Sequence, residues 1–200
     1  MNLDSSIENI LQLPIPTNRR EILQVLIDYV QQKKDAELPI ILNFICTHNS
    51  RRSQFAQVWA AVAAHAFGIE TTCLSGGVEV TAFNENAVQS LRGFGFMIHT
   101  NQPEDHNPKY EVEFALNAGK LVMFSKLFDD SANQAERFAA VMTCDHADEN
   151  CPFIPGSEQR ISVNYADPKE FDGTPQQTEK YDERSAQIAS EMFYVFSKIK

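Results

Sequence analysis

A cysteine, five residues, an arginine and a serine stand together as Cys46-Thr47-His48-Asn49-Ser50-Arg51-Arg52-Ser53, and each residue type has a use in holding an oxyanion. A loop of this length running into a helix can aim successive backbone N–H groups inward, and the helix N-terminus adds partial positive charge. The same donors favour a thiolate at Cys46, and the Arg52 fork can hold two oxygens of a tetrahedral anion at once. Ser53 can donate its hydroxyl to that thiolate, and Asn49 tolerates the left-handed backbone that a tight loop needs. Thr47, His48, Asn49, Ser50, Arg51, Arg52 and Ser53 are the expected anion-binding set. A merely structural buried cysteine is the bland alternative; a buried strand before the loop and a helix after it argue against it.

A second pair of thiols sits in Cys144-Asp145-His146-Ala147-Asp148-Glu149-Asn150-Cys151-Pro152. Three readings compete. A metal held by Cys144, His146 and Cys151 lacks a fourth ligand, and the spacing is not that of a standard zinc knuckle. Buried bystanders would not be separated by so polar and exposed a segment. A redox pair fits a polar, aperiodic linker that can rearrange around a disulfide. Oxyanion chemistry also calls for a carboxylic acid near the loop mouth. Asp167-Pro168 offers one, although Asp-Pro is an everyday turn signal, and Asp145, Glu170 and Asp172 are the fallbacks.

These groups need elements to position them. Ile40-Ile41-Leu42-Asn43-Phe44-Ile45 is a short continuous apolar run, the mark of a central parallel strand, and it ends at Cys46. Phe55, Val58, Trp59, Val62 and Ala66 then follow helical spacing up to Gly68. Ile69 to Leu74 reads as a second strand closed by Ser75-Gly76-Gly77, and Asn84 caps a helix that Gly93 or Gly95 ends. Runs near Val112 and Leu121 suggest a hairpin around Asn117-Ala118-Gly119. Phe138 to Thr143 is a buried strand leading into Cys144, and Arg160 to Tyr165 is a further candidate. Ile188, Met192, Val195, Phe196 and Ile199 mark a closing amphipathic helix. Residues 1–38 read as a helical extension built on Ile22, Leu26, Tyr29 and Val30, and 39–200 as the catalytic α/β domain.

Composition narrows the classes. In 200 residues, 27 acids face 17 bases for a formal net charge of −10, so a phosphate-backbone binder is disfavoured and no nucleic-acid partner is expected. Met1 opens onto polar residues and no window approaches a membrane span, so a cytoplasmic protein with no membrane partner is expected. Its four cysteines would then sit reduced, outside any disulfide framework.

The Cys46–Gln54 stretch after a buried strand resembles the low-molecular-weight protein tyrosine phosphatase superfamily, and Ser75-Gly76-Gly77 with Asn84-Glu85-Asn86-Ala87-Val88 resembles its second strand and following helix. The C-x6-C-P pattern is similar to that of its thioredoxin-coupled arsenate reductases. The resemblance covers about 39–200 apart from 108–135, which reads as an insertion. It implies a three-layer α/β sandwich with a central, mainly parallel four-stranded sheet flanked by helices. It implies Cys46 as nucleophile, Arg52 as anion clamp, Asp167 as general acid, Cys144 as the thiol that resolves the adduct, and Cys151 as the one that carries the disulfide to thioredoxin. Cys73 has no counterpart and reads as a small buried residue.

Departures qualify the substrate. His48 stands where the family has glycine, Arg51 where relatives often have cysteine, and only Phe171 follows the Asp-Pro where phosphotyrosine-specific members carry two tyrosines. Gln57 stands where an acid would favour the potassium that some arsenate reductases bind, so no metal is expected. The expected function is arsenate reduction. The alternatives are a phosphomonoester phosphatase working through a cysteinyl-phosphate, and a non-catalytic oxyanion-binding or redox-sensing module.

Overall fold

The computed structural model describes residues 2–115, 119–150 and 153–200, with nothing said of the Asn150 side chain. Four strands, β1 (Ile41–Cys46), β2 (Thr72–Gly77), β6 (Phe138–Met142) and β7 (Ser157–Ser162), form a parallel sheet in the order β2-β1-β6-β7. β1 lies between β2 and β6, so the chain winds off in both directions from its carboxyl end. Ligands gather in the crevice beyond such a switch point, and here that crevice opens at Cys46.

β1 reads as apolar throughout because both its faces are covered. Leu42 and Phe44 enter one buried cluster with helices α2 (Thr17–Asp35), α3 (Arg52–Ala66), α4 (Glu85–Phe94) and α6 (Gln177–Ser197). Ile45 and Cys46 enter a second, with Ala140, Met142, Cys144 and Ala147 of the short helix α5 (Asp145–Asn150). Helices thus cover both faces of the parallel sheet, which is the expected α/β architecture. On the larger side Trp59 is fully buried, donates to Ser185 Oγ at 2.9 Å, and meets Phe94 and Phe96 edge-on at 5.6 and 4.9 Å.

Several elements differ from the sequence reading. The N-terminal part carries two helices: α1 (Leu3–Ile10), capped by Asn2, precedes α2. Gly95, left-handed at φ +104°, ends α4; a Cβ there would lie 2.5 Å from Leu3 N, so its absence lets α1 close on that turn. Ser75-Gly76-Gly77 is the end of β2 rather than a closing turn. Cβ-less backbone is needed there, since a Cβ on Gly77 would sit 2.8 Å from Asn49 N.

A second, antiparallel sheet joins β3 (Met97–His99), β4 (Tyr110–Glu113) and β5 (Leu121–Met123). The expected hairpin is the β4–β5 pair, with Asn117 and Ala118 of its turn outside the described residues; β3 was too short to read from sequence. β7 begins earlier than the expected Arg160 to Tyr165 run, because Arg160 and Ile161 pair with Ala140 and Val141 in the middle of β6. The polar stretch after Cys144, expected to be exposed and aperiodic, is helical and partly packed. Cys144 is 1% exposed and Ala147 fully buried, and Arg160 on β7 holds Asp148 of α5 at 2.9 Å. Donors from Ser162, Arg160 and Asn164 keep the Asp148 carboxyl below its ordinary range although burial works against them.

Candidate active site

The loop from Cys46 to α3 is built around Asn49, buried and left-handed at φ +45°. Its side-chain oxygen accepts from Lys126 N at 3.1 Å and from Gln54 Nε2 at 3.3 Å, while its Nδ2 donates to Ser53 Oγ at 2.9 Å. Ser53 Oγ lies 3.1 Å from Cys46 Sγ. Since Asn49 supplies a hydrogen to that oxygen, the hydroxyl hydrogen is left for the sulfur, which makes Ser53 a donor to a thiolate. α3 starts without a side-chain cap, so the N–H groups of its first turn have no capping oxygen and remain suited to an anion.

The Arg52 guanidinium is divided. Nη1 donates to Tyr165 O at 3.0 Å and Nη2 to Asp167 Oδ2 at 2.6 Å, whereas Nε is buried with no partner. A buried donor without an acceptor costs about 1–3 kcal/mol, and an oxyanion seated over the loop is the acceptor its position invites. Asp167 is within reach of that position, and its Oδ1 accepts from Lys169 N at 3.1 Å to start the short 3-10 turn Pro168–Phe171.

Arg51 points elsewhere. Its Nε donates to Tyr181 OH at 2.9 Å, its Nη1 lies 3.8 Å from Asp167 and its Nη2 4.0 Å from Asp172. Tyr181 OH in turn donates to Asp172 Oδ1 at 2.8 Å. The extra arginine therefore ties the Asp167 loop to α6. Of the fallback acids, Asp172 belongs to this tether, Glu170 is exposed on the 3-10 turn, and Asp145 is exposed at the start of α5.

The other loop side chains have separate attachments. His48 Nε2 lies 3.3 Å from Glu79, and its carbonyl accepts from Ser125 Oγ at 2.7 Å; Ser50 Oγ donates to Ala82 O at 2.6 Å. Beside them opens a cleft of about 450 Å³ lined by His48, Arg51, Phe83, His106, Tyr110 and Lys169 among others. Thr47 Oγ1 faces the second cysteine, 3.5 Å from Cys144 Sγ and 3.3 Å from His146 Nδ1. Cys151 lies outside the described residues. Cys73 is 7% exposed, and burial pushes its thiol up to about 12.

No cluster of three or more metal-ligating side chains occurs among the described residues. Gln57 uses its amide on the protein, donating to Cys73 O at 2.9 Å and accepting from Ser75 Oγ at 2.6 Å. Lys126, 3% exposed, places an unpartnered ammonium behind the loop, 4.7 Å from the Phe124 ring centroid. Sequence reasoning missed Tyr181 and Lys126 altogether, and named His146 only as a metal ligand. No local pattern marks Tyr181, whose partner Arg51 lies 130 residues away, and Lys126 is one more charged residue in the sequence until the fold buries it.

The chain has relatives among known proteins. The chain is 31% identical over 127 residues to arsenate reductase 2 of Staphylococcus haemolyticus, covering 62% of this chain and 76% of the relative. It is 29% identical over 137 residues to arsenate reductase of Bacillus subtilis, covering 68% and 80%. Among solved structures, a low-molecular-weight protein tyrosine phosphatase from T. tengcongensis superposes with a TM-score of 0.51 at 15% identity, over 80% of this chain and 99% of that one. An arsenate reductase in its phosphate-binding state gives 0.50 at 18% identity, over the same shares. No family model matches. The fold is the one shared by that low-molecular-weight protein tyrosine phosphatase and that arsenate reductase. By sequence, the chain belongs to the arsenate reductase family. No helix among the described residues is long and apolar enough to cross a membrane.

Proposed function

We propose that the protein reduces arsenate to arsenite through Cys46, Cys144 and Cys151, with thioredoxin as the external reductant and no metal. The anion is held by the amides of the 47–53 loop and by Arg52, whose free Nε gains an acceptor. The Cys46 thiolate, with Ser53 donating to it, attacks arsenic while Asp167 protonates the departing oxygen. Cys144 then attacks the Cys46 sulfur of the adduct; the sulfur–arsenic bond breaks with its electron pair left on arsenic, and arsenite departs. Cys151 converts the Cys46–Cys144 bond into a Cys144–Cys151 disulfide, which thioredoxin reduces.

The observation that carries this reading is the buried Cys144 thiol, attached through the Thr47 hydroxyl to the loop that begins at Cys46 and packed in the same cluster as Cys46. A hydrolase has no use for a second thiol there. The cleft beside His48 and Arg51 supports a second reading, since its roughly 450 Å³ exceeds what a bare oxyanion needs and suits the organic group of a phosphomonoester.

One paired assay separates them. Arsenate-dependent NADPH consumption with thioredoxin and its reductase is expected, and should be lost in both Cys144→Ser and Cys151→Ser. Turnover of an aryl phosphate that survives both substitutions, without any arsenate-dependent consumption, would assign the phosphatase instead. Neither activity would leave a binding or sensing module.

A further inference from the structure

The thiol that must act second has to give up its proton to form a new sulfur–sulfur bond, and one route is laid out in hydrogen bonds. Cys144 Sγ accepts the N–H of Ala147 at 3.4 Å, so the sulfur's own proton is free to point elsewhere. Thr47 Oγ1 lies 3.5 Å away, and a hydroxyl both accepts and donates. Its other neighbour is His146 Nδ1 at 3.3 Å. With the imidazole neutral and its Nδ1 unprotonated, the three groups form one directed chain: Cys144 S–H to Thr47 Oγ1, and Thr47 O–H to His146 Nδ1. His146 lies on the exposed side of α5, where a proton it collects can pass to water.

Resting on the relay just proposed, we infer that His146 is the proton acceptor for Cys144, acting through the Thr47 hydroxyl. As the Cys144 sulfur approaches Cys46, its proton moves to Thr47 Oγ1 and the Thr47 proton moves to His146 Nδ1, giving an imidazolium. The sulfur electron pair freed on Cys144 makes the bond to Cys46 Sγ, and the sulfur–arsenic pair stays on arsenic. Two thiols become a disulfide and arsenic(V) becomes arsenic(III), so the electrons balance without another oxidant. His146 touches no reacting atom; it is a positioning and proton-accepting residue, used once per cycle, after the nucleophilic step at Cys46.

Other titratable groups on the elements around His146 do not duplicate it. Cys46 ends β1 and Cys144 follows β6. On α5 itself stand Asp145, Asp148 and Glu149, and Arg160 of β7 is bound to Asp148. Among the described residues, none of these carboxylates is hydrogen-bonded to Thr47 or to Cys144.

The test uses the full chain carrying Cys151→Ser, treated with one equivalent of arsenate and quenched with acid and an alkylating reagent at intervals. Mass spectrometry then gives the rate of Cys46–Cys144 disulfide formation between pH 5 and 8. That rate should rise with pH, because the acceptor must be unprotonated to receive the proton. Adding His146→Gln should slow it by about 10²-fold, the low end for general acid–base help, and remove that rise. Thr47→Val should behave like His146→Gln, and Thr47→Ser, which keeps the hydroxyl, should restore both rate and pH profile. Cys46 alkylation by iodoacetamide in each variant checks that the loop is intact. An unchanged rate and profile in His146→Gln would overturn this inference alone. Failure of the Cys151→Ser parent to form any Cys46–Cys144 disulfide would overturn the relay and this inference together.

Discussion

Lys126→Met should make the protein more stable at neutral pH, and by an amount that depends on pH in a calculable way. Burial pushes the Lys126 ammonium down to about 8 from an ordinary 10.5, with Asp130 acting the other way. Because the folded-state value lies below the unfolded one, the unfolded chain binds more protons between those two values. The charged lysine therefore costs stability below about pH 8, and the cost is relieved as pH rises toward 10.5. At about 1.4 kcal/mol per unit, the cost is on the order of 3 kcal/mol at pH 7, about 2 at pH 9 and under about 1 at pH 10. The ammonium's place near the Phe124 ring returns about 0.5–2 kcal/mol of this. Methionine keeps the unbranched shape, and the backbone N–H that serves Asn49 is untouched. The net gain at pH 7 should be about 1–3 kcal/mol, a rise in Tm of roughly 2–10 °C for a chain of this size. Urea unfolding of both proteins at pH 7, 9 and 10 measures it. A variant no more stable at pH 7, or a difference that does not shrink by pH 10, would show that the ammonium is hydrated or paired in solution and refute the argument.

Three further outcomes concern the chemistry. Limiting iodoacetamide should label Cys46 well before Cys73, whose burial pushes its thiol up to about 12, and arsenate or phosphate should protect Cys46; Cys46→Ser should abolish turnover with the fold intact, as thermal melts can verify. Asp167→Asn should lower kcat by about 10²- to 10⁴-fold while binding of the anion by isothermal titration is largely kept; an unchanged kcat would move the acid to Asp145, Glu170 or Asp172. Tyr181→Phe removes the hydroxyl that joins Arg51 to Asp172 and should lower kcat by roughly tenfold, with a smaller change in KM, since about 1–3 kcal/mol of hydrogen bonding that steadies the Asp167 loop is lost. Equal kcat in Tyr181→Phe would mean that Arg51 alone steadies the acid.

Much of the site was legible because it is local. The apolar run before Cys46, the helical spacing after it, and the Asn, Arg and Ser between are all consequences of neighbours in sequence, and so is the α4 cap at Asn84; between Gly93 and Gly95 as its stop, the structure decided for Gly95. Period and capping depend on residues within a turn or two of each other, and no partner from elsewhere can erase them. β3, three residues long, was invisible because its strand character comes from pairing with β4 rather than from a pattern of its own.

The tertiary structure alone decided what each exposed-looking polar residue does. Arg51 was as open to substrate as to a surface acid until α6 brought Tyr181, 130 residues away, to its Nε. Thr47 read as an anion ligand, and its hydroxyl instead faces Cys144, 97 residues on, because β1 and β6 are parallel neighbours whose carboxyl ends meet. Lys126 is a buried ammonium on a segment whose backbone N–H is held by Asn49, 77 residues away. Such contacts follow from strand order, and strand order is set by how the whole set of apolar faces packs, not by any single segment.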